Sequence, residues 1–476
     1  MKTMLAMKLS AKIRPLLVTG ALAASLAAVA DTPKYIFYFI GDGMGIPEVT
    51  NAQLYNKNVL KNEKPLVMTT FPVASMATTH SANSDVTDSA AAGTALATGV
   101  KTKNSMLGMS PDTTAVTSIA KVLFDEGYGV GLVTSVAIDD ATPGAFYTHV
   151  ANRSQFYDTG RFLAESGYHF AAGAALRGTK DKKGNDTGLL DYFAENNVSI
   201  SYGLNDIDTT AERILVLSPF HNERNNSIGY AIDSIAGALT LPQLTRAGLD
   251  HLMRVSPDKF FMMVEGGEID HAGHGNDGGT SLREVISLDE SIRIAYEFYL
   301  QHPDETLIVV TADHETGGMS VGCAATGYSV QPQHAAAQKI SKELFNEFCK
   351  TKFENKEPFS WAEMELVLRD KLGFWSTVRL NPDEEESIKN MFTEIFEKHN
   401  DVGEEKTLYS SYNQFVVRVF DILNYKSGFG WTTTHHTGSP VPVYAIGADC
   451  MLFTPLQDNT EIPRKILKAA GLQLPQ

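Results

Sequence analysis

The stretch Tyr35-Ile-Phe-Tyr-Phe-Ile40, followed by Gly41-Asp42-Gly43-Met44-Gly45, is the part of the sequence that most clearly indicates the fold. Six apolar or aromatic residues run without interruption into a polar loop rich in glycine. Such a run is typical of a strand that is buried on both faces of a parallel sheet. We therefore expect Asp42 to follow the carboxyl end of a strand, where ligands bind in sheets of this kind.

The same pattern of an apolar run that ends in polar residues occurs at three further places. The runs are Val130–Thr134 before Asp139 to Pro143, Phe260–Val264 before Glu265, and Leu307–Thr311 before Asp313 and His314. Helical patterns lie between the runs, for example at Ser118–Glu126 and Leu282–Leu300. Alternating strands and helices predict an α/β fold, a three-layer sandwich with a central, mostly parallel sheet flanked by helices.

One long segment departs from this pattern. Residues 320–432 are mixed and partly charged, and the apolar run Val441–Ile446 then resumes the sheet pattern. We interpret about 320–432 as a large, crown-like insertion into the main domain, before the last motif, His436-Thr-Gly438. Its acidic run, Asp383 to Glu386, is interpreted as the solvated start of a helix, where acids favour the positive end of the dipole.

Composition excludes several classes of protein. The chain has 476 residues, of which 43% are hydrophobic and 20% charged, as in a globular protein. Its 40 basic and 56 acidic residues give a formal charge of -16, and four of the bases lie in residues 1–30. A surface this acidic repels phosphate backbones, so we expect no role in nucleic-acid binding.

The basic start of the chain has the three parts of a signal peptide. Lys8 to Arg14 forms a positive region, Pro15 to Ala28 is apolar, and Ala28-Val29-Ala30 fits a cleavage site. We expect residues 1–30 to be removed and residues 31–476 to form the mature domain, exported to the periplasm or secreted. No later segment has 18 uninterrupted apolar residues, so no membrane span is expected in the mature chain.

The cysteines predict no metal motif. Cys323, Cys349 and Cys450 can form at most one disulfide, and the sequence does not decide which pair that would be.

Histidine and acidic residues follow several of the predicted strands. Asp270 and His274 are four residues apart and would share one face of a helix. Asp313 and His314 form a second group. Each group alone is as well explained by caps, turns or surface imidazoles. Together with Asp42, and with imidazoles at His435 and His436, they favour a metal site, because buried carboxylates are too costly to accumulate without a cation.

Ser89 lies at the predicted start of a helix, in Thr87-Asp88-Ser89-Ala90-Ala91-Ala92-Gly93. Thr87 or Asp88 would cap the helix, and the free N–H groups of its first turn favour an anion. A hydroxyl there needs a base or a metal to become a nucleophile. No base is obvious nearby in the sequence, so metal activation is the simplest hypothesis. An ordinary serine in a capped helix is the alternative.

Seven short motifs occur in the order found in alkaline phosphatases, and the chain resembles that family over nearly its whole mature length. They are Gly41-Asp-Gly-Met-Gly45, Val86-Thr-Asp-Ser-Ala-Ala91, Asp140-Ala-Thr-Pro143, Val264-Glu-Gly266, Ile269-Asp-His-Ala-Gly-His274, Thr311-Ala-Asp-His314 and His436-Thr-Gly438. The resemblance implies a three-metal site with a serine nucleophile. Phosphate monoesters would be hydrolysed to alcohol and inorganic phosphate.

The resemblance also assigns roles residue by residue. Ser89 would form the phosphoserine intermediate, and Arg153 would clamp the phosphate with its guanidinium. The ligand sets it implies are Asp270, His274 and His436 for one zinc; Asp42, Asp313 and His314 for a second zinc; and Asp42, Thr142 and Glu265 for a magnesium, with Asp140 binding directly or through water.

Two of these positions vary within the family, and here they are Asp140 and His271. A protonated His271 would reach the phosphate or pair with Asp140, whereas a neutral one would favour another metal at the third site. We expect magnesium there.

Two alternatives stay open. A phosphodiesterase or sulfatase of the same superfamily would use similar ligands, although the sulfatase Cys/Ser-x-Pro-x-Arg string is absent around Ser89. A non-catalytic, exported phosphate- or metal-binding protein would not need Ser89. The resemblance also leaves a homodimer open.

Overall fold

The strand that begins at Tyr35 lies in the interior of a ten-stranded sheet in a computed structural model that describes residues 32–355 and 358–475. The predicted signal peptide, residues 1–30, lies outside the described residues. The strands, in chain order, are β1 Tyr35–Gly41, β2 Val73–Thr78, β3 Gly129–Thr134, β4 Phe170–Gly173, β5 Ser199–Tyr202, β6 Ile214–Leu217, β7 Phe260–Gly266, β8 Thr306–Ala312, β9 Glu315–Thr316, β10 Ser320–Val321, β11 Glu404–Lys406, β12 Ser411–Asn413, β13 Phe429–Gly430, β14 His436–Thr437, β15 Val441–Gly447 and β16 Gln457–Asp458. The ten-stranded sheet has the strand order β16-β2-β15-β8-β1-β7-β3-β4-β6-β5.

Helices connect most of these strands. In chain order they are α1 Ile46–Asn58, α2 Ser89–Thr98, α3 Ile119–Asp125, α4 Ala141–Gly144, α5 Phe156–Glu165, α6 Leu189–Glu195, α7 Leu241–Val255, α8 Glu268–His274, α9 Gly278–Tyr299, α10 Pro332–Ala337, α11 Lys342–Asn355, α12 Trp361–Leu372, α13 Pro382–Phe392, α14 Gln414–Ser427 and α15 Glu461–Ala469.

The register of the central strands brings their carboxyl ends together. β1 runs parallel to β7 and β8, with Gly41 opposite both Gly266 and Ala312. Asp42, Gly267 and Asp313 therefore leave the same edge of the sheet side by side. β3 is parallel to β7, and its last residue, Thr134, lies opposite Glu265. The predicted α/β fold with a mostly parallel sheet is confirmed.

Burial explains why the long strands are continuous apolar runs. Every residue of β1, β3, β7 and β8 is buried. Helices α1, α7 and α9 pack together as one group, and α2, α3, α4 and α15 pack as another. β15 departs from the parallel pattern, because it pairs antiparallel with both β8 and β2.

Helices α11 to α14 surround a second apolar cluster, separate from the main core, which includes Phe345, Leu368, Phe392 and Phe415. The acidic run Asp383 to Glu386 lies at the start of α13, where Asn381 caps the helix, so the interpretation of this run as a helix start is confirmed. The boundaries 320–432 of an insertion stay a prediction.

Cys323, Cys349 and Cys450 are free thiols. Within residues 32–355 and 358–475, no helix is both long and apolar enough to cross a membrane.

Candidate active site

Ser89 is the first residue of α2, and Asp88 caps that helix. The Asp88 side chain accepts a hydrogen bond from the backbone N–H of Ala91 at 2.9 Å. Small residues, mostly alanine, fill α2, and all ten of its residues are buried, so the helix start is held firmly against the core. The Ser89 hydroxyl is buried and its Oγ lies 3.3 Å from Nε2 of His314. The predicted nucleophile and a predicted metal ligand therefore share one site.

Asp42, Asp313 and His314 form one cluster at the ends of β1 and β8. Nε2 of His314 lies 3.4 Å from Oδ1 of Asp42 and 3.3 Å from Oδ2 of Asp313. The other oxygen of Asp313 accepts hydrogen bonds from the backbone N–H groups of Gly43 and His314. Ligand atoms of all three residues lie close enough to bind one metal ion.

Asp270, His274 and His436 form a second cluster. Helix α8 places Asp270 and His274 on one face, as their spacing predicts, with Nε2 of His274 3.4 Å from Oδ1 of Asp270. Nε2 of His436 lies 3.5 Å from the same oxygen and 3.0 Å from Nε2 of His274. Because His314 stacks on His436, with ring centroids 3.6 Å apart, the two clusters are adjacent.

Hydrogen bonds fix the direction of both imidazoles in the second cluster. Nδ1 of His274 donates to the carbonyl of Thr434 at 2.6 Å, and Nδ1 of His436 donates to the carbonyl of Thr87 at 2.9 Å. When both rings are neutral, each Nε2 then carries a lone pair, and the two lone pairs face each other. Two facing lone pairs repel unless a cation lies between them, and this backbone support is typical of metal-binding histidines.

The carboxylates give independent support for bound cations. Oδ1 of Asp42, Oδ2 of Asp270 and Oδ2 of Asp313 are buried and have no hydrogen-bond partner among the described residues. Burial and the charges of Asp313 and Asp270 raise the pKa of Asp42 well above its usual range, and burial and Asp270 raise that of Asp313 to about 7. Zinc accepts both oxygen and imidazole ligands, so the residues present fit it.

An oxygen-only set lies beside these clusters. The Thr142 hydroxyl donates to Oδ2 of Asp42 at 3.4 Å, and Glu265 accepts a hydrogen bond from the hydroxyl of Thr134. Burial raises the pKa of Glu265 to about 8. A set of carboxylate and hydroxyl oxygens suits a hard cation such as magnesium.

Asp140 is held by two arginines. Arg153 donates to its Oδ1 at 2.9 Å and Arg177 donates to its Oδ2 at 3.1 Å, and the backbone N–H of Ala141 also donates to Oδ1. Although burial alone would raise it, these guanidinium groups lower the pKa of Asp140 to about 2. Asp140 is therefore ionised, and it joins the predicted phosphate clamp to a second arginine.

His271 lies on α8, between Asp270 and His274 in sequence, and it is neutral. Its ring lies against that of Tyr409, with centroids 4.0 Å apart, and burial lowers its pKa to about 4. Of the two states considered for His271 from the sequence, the structure favours the neutral one. Magnesium stays the expectation for the third site, because the donors predicted for that site, Asp42, Thr142 and Glu265, are all oxygens.

Arg177 and Tyr409 were not identified from the sequence. Arg177 lies just beyond β4, in a segment with no motif, and its side chain reaches the site through Asp140. Tyr409 lies between β11 and β12, which pair as a hairpin, and its ring also contacts that of His274, with centroids 5.3 Å apart. Neither residue gives a local sequence signal, because both depend on packing between distant segments.

The site places a serine at a helix start beside two groups of predicted metal-binding side chains, at the strand ends of an α/β sheet. This arrangement is suited to metal-dependent hydrolases. The family model "Alkaline phosphatase" matches residues 33–167 and 174–472. The chain belongs to the alkaline phosphatase family, and alkaline phosphatases are phosphoric monoester hydrolases.

Individual relatives agree with this assignment. The chain is 28% identical over 446 residues to alkaline phosphatase 4 of Bacillus subtilis, covering 91% of this chain and 88% of the relative. It is 28% identical over 472 residues to the repressible alkaline phosphatase of Saccharomyces cerevisiae, covering 88% and 77%. The crystal structure of a cold-active alkaline phosphatase from Shewanella sp. matches with a TM-score of 0.76 and 27% identity, covering 91% of this chain and 99% of that one.

Proposed function

We propose that this protein hydrolyses phosphate monoesters to an alcohol and inorganic phosphate through a phosphoserine on Ser89, at a site for two zinc ions and one magnesium ion. The observation that carries the proposal is the position of the Ser89 hydroxyl, at a helix start and 3.3 Å from His314 Nε2. A non-catalytic metal-binding protein has no need of a buried hydroxyl at this point.

Ser89 acts as the nucleophile in the proposed reaction. Its Oγ gives up its proton to solvent and forms a bond to phosphorus while the bond from phosphorus to the alcohol oxygen breaks, and the departing oxygen gains a proton from solvent. The free N–H groups and the dipole at the start of α2 stabilise negative charge on the Ser89 oxygen and on the phosphoryl group. Water then cleaves the phosphoserine, which restores Ser89 and releases phosphate.

The proposed ligand sets follow the clusters. Asp270, His274 and His436 would hold one zinc, and Asp42, Asp313 and His314 the other; Asp42, Thr142 and Glu265 would hold magnesium. When bound, the cations supply positive charge that stabilises the attacking and leaving oxygens and lowers the pKa of the Ser89 hydroxyl. The unpartnered carboxylate oxygens support these sets.

Arg153 is the proposed phosphate clamp. Its guanidinium has a strong donor geometry for phosphate, and Asp140 holds one of its nitrogens at 2.9 Å. Arg153 also lies 3.9 Å from Asp88, the cap of α2, so it is oriented towards the helix start that carries Ser89. Asp140 is then a positioning residue, and its contribution to the magnesium site would be made through water.

The proposal also includes export to the periplasm or secretion, as the sequence of residues 1–30 indicates, and it leaves a homodimer as a state to be measured.

Hydrolysis of p-nitrophenyl phosphate by the mature protein at mildly alkaline pH tests the proposed activity. We expect turnover that chelation abolishes and that zinc plus magnesium restores, with little activity on the matching diester or sulfate ester. Preference for the diester or the sulfate would instead assign the protein to a sister activity.

Ser89→Ala tests the proposed nucleophile. We expect turnover to fall by about 1,000-fold or more, because a covalent mechanism loses its attacking group. Ser84→Ala, a change to an exposed hydroxyl on the segment that leads into α2, is the control. Metal content should be the same in both variants, and retained turnover in Ser89→Ala would contradict the phosphoserine.

A further inference from the structure

Tyr409 brings a polar group from the β11–β12 hairpin to the candidate active site. It lies in the turn that joins the two strands, where the backbone N–H of Thr407 donates to the carbonyl of Ser410 at 2.8 Å. Its ring lies against those of His271 and His274, with centroids 4.0 and 5.3 Å away. The side chain therefore lies over α8, the helix that carries two of the proposed zinc ligands.

The hairpin is fixed both to α11 and to the end of α8. The side-chain amide of Asn346, on α11, bonds to the backbone of β12 with its nitrogen, at 3.0 Å, and with its oxygen, at 2.9 Å. Lys342, at the start of α11, donates to the carbonyl of Gly275, the residue after α8, at 2.8 Å, and its cation lies over the ring of Tyr412. These contacts position Tyr409 before a substrate binds, which lowers the cost of ordering it on binding.

The hydroxyl of Tyr409 lies near the proposed phosphate clamp. Burial raises the pKa of this phenol well above its usual range, and the charge of Asp270 raises it further, whereas the charge of Arg153 lowers it. Charges have such effects only from nearby, so the hydroxyl is close both to a proposed zinc ligand and to the clamp. The side chain is half-buried, and its hydroxyl has no hydrogen-bond partner in the part of the chain that the structure describes.

Contacts on two sides connect Tyr409 with the position of Ser89. Arg153 lies 3.9 Å from the side chain that caps α2, the helix that begins at Ser89. The ring of His274 contacts those of both Tyr409 and His436, with centroids 5.3 and 4.9 Å away. Tyr409 is therefore at the border of the space that a phosphoryl group held by Ser89 and Arg153 would occupy.

We propose that Tyr409 binds the substrate directly, and that its hydroxyl donates a hydrogen bond to a terminal oxygen of the phosphoryl group that Arg153 clamps. The inference rests on the proposed function, because the phosphoryl group must lie at Ser89. A hydrogen bond to an anionic oxygen is stronger than one between neutral groups, and a donor that is already in position stabilises the anion without rearrangement.

Tyr409→Phe removes the hydroxyl and keeps the ring over His271. We expect the Kd for inorganic phosphate, measured by calorimetry on the metal-loaded protein, to rise by about tenfold, because a hydrogen bond to a charged group is lost. The value of kcat/KM for p-nitrophenyl phosphate should fall by a similar factor, and the zinc content should not change. Tyr425→Phe, which removes an exposed hydroxyl from α14, is the matched control and should change neither constant.

Inorganic phosphate has no alcohol portion, so its Kd reports on contact with the phosphoryl group alone. An unchanged Kd in Tyr409→Phe would overturn the proposal even if kcat/KM fell, because the hydroxyl would then contact the alcohol portion or act only through the packing of the ring. An equal rise of the Kd in Tyr425→Phe would overturn it as well. If the unaltered protein neither binds phosphate nor hydrolyses p-nitrophenyl phosphate, the proposed function itself is wrong, and the role of Tyr409 with it.

Discussion

At the scale of single residues, Gly43 lies where the loop after β1 passes over α8. Its φ is +72°, and a Cβ there would lie 2.8 Å from Cα of Asp270 and 2.9 Å from Oγ1 of Thr316. Thr316 in turn donates a hydrogen bond to Asp270. A side chain at position 43 would therefore displace a proposed zinc ligand.

Gly43→Ala tests this packing, and Gly184→Ala is its control. Gly184 also has a positive φ, of +81°, but no atom lies within 4 Å of the position of its Cβ. We expect both variants to lose about 1 kcal/mol of stability from backbone strain. Only Gly43→Ala should also lose bound zinc, measured by elemental analysis after equilibrium dialysis. Equal zinc content in the two variants would contradict the role given to Asp270.

The ring of Tyr409 covers that of His271. Burial is the cause of the low pKa of His271, about 4, and the Tyr409 ring provides part of that burial. In Tyr409→Ala we expect the pKa of His271 to rise towards its ordinary value near 6.5. Tyr409→Phe keeps the ring and should leave the pKa low. Histidine NMR titration measures both, and an unchanged pKa in Tyr409→Ala would contradict this explanation.

The sequence predicted the position of some site residues and not of others. The cap at Asp88 and the helix start at Ser89 follow from local propensity, and the shared face of Asp270 and His274 follows from their spacing. Arg177 and Tyr409 reach the site only through contacts between distant segments, for which a single sequence has no periodic signal.

At the scale of elements, the capped start of α2 supports the position of Ser89. Asp88 accepts from Ala91 N–H with one oxygen and from Ser105 N–H, at 2.8 Å, with the other. We expect Asp88→Ala to lower the free energy of unfolding by about 1 kcal/mol, as loss of a cap does. It should also lower turnover by about tenfold or more, because Ser89 is the adjacent residue and small displacements reduce rates strongly.

Ser118→Ala is the matched control for this prediction. Ser118 caps α3 by accepting from Lys121 N–H, and α3 carries none of the proposed site residues. Chemical denaturation and turnover should show a similar loss of stability in both variants but a loss of activity in Asp88→Ala alone. If Ser118→Ala lowered turnover equally, the loss in Asp88→Ala would reflect general destabilisation.

Elements buried in the centre of the sheet were predicted well, and those at its edges were not. Continuous apolar runs identify β1, β3, β7 and β8 because both faces of these strands are covered. The strands β4, β5 and β6 have four residues each, too few to separate from other short apolar stretches. The antiparallel direction of β15 depends on the path of the chain and has no signal within the strand.

At the scale of the whole molecule, the buried carboxyl groups make stability depend on pH and metal. Asp313 and Glu265 have folded pKa values of about 7 and 8, above their unfolded values near 4. Above pH 6.5 the carboxyl groups of the unfolded chain are ionised, so at Asp313 and Glu265 the folded metal-free protein holds more protons than the unfolded chain. Its free energy of unfolding should therefore fall from pH 6.5 to 8.5, by about 1 kcal/mol per pH unit.

Bound zinc and magnesium should reduce this slope, because Asp313 and Glu265 are then ionised and paired at all these pH values. Asp139 and Glu284, with pKa values of about 7 and 8, are not proposed ligands and keep their part of it. Denaturant unfolding of the metal-free and metal-loaded forms across the same pH range measures the difference. Identical slopes in the two forms would show that Asp313 and Glu265 are not metal ligands.

The interior position of β1 has a consequence for biosynthesis. Of the strands that the structure describes, β1 is the first to leave the ribosome, yet both of its neighbours lie more than 200 residues later, at Phe260–Gly266 and Thr306–Ala312. The proposed donors extend further still, from Asp42 to His436 of 476 residues. A growing chain exposes β1 unpaired while more than 200 further residues are added, a state that favours aggregation unless the chain is kept unfolded by other proteins. The complete proposed donor set can form only after His436 has been synthesised, so full loading of the proposed metal sites is a late event.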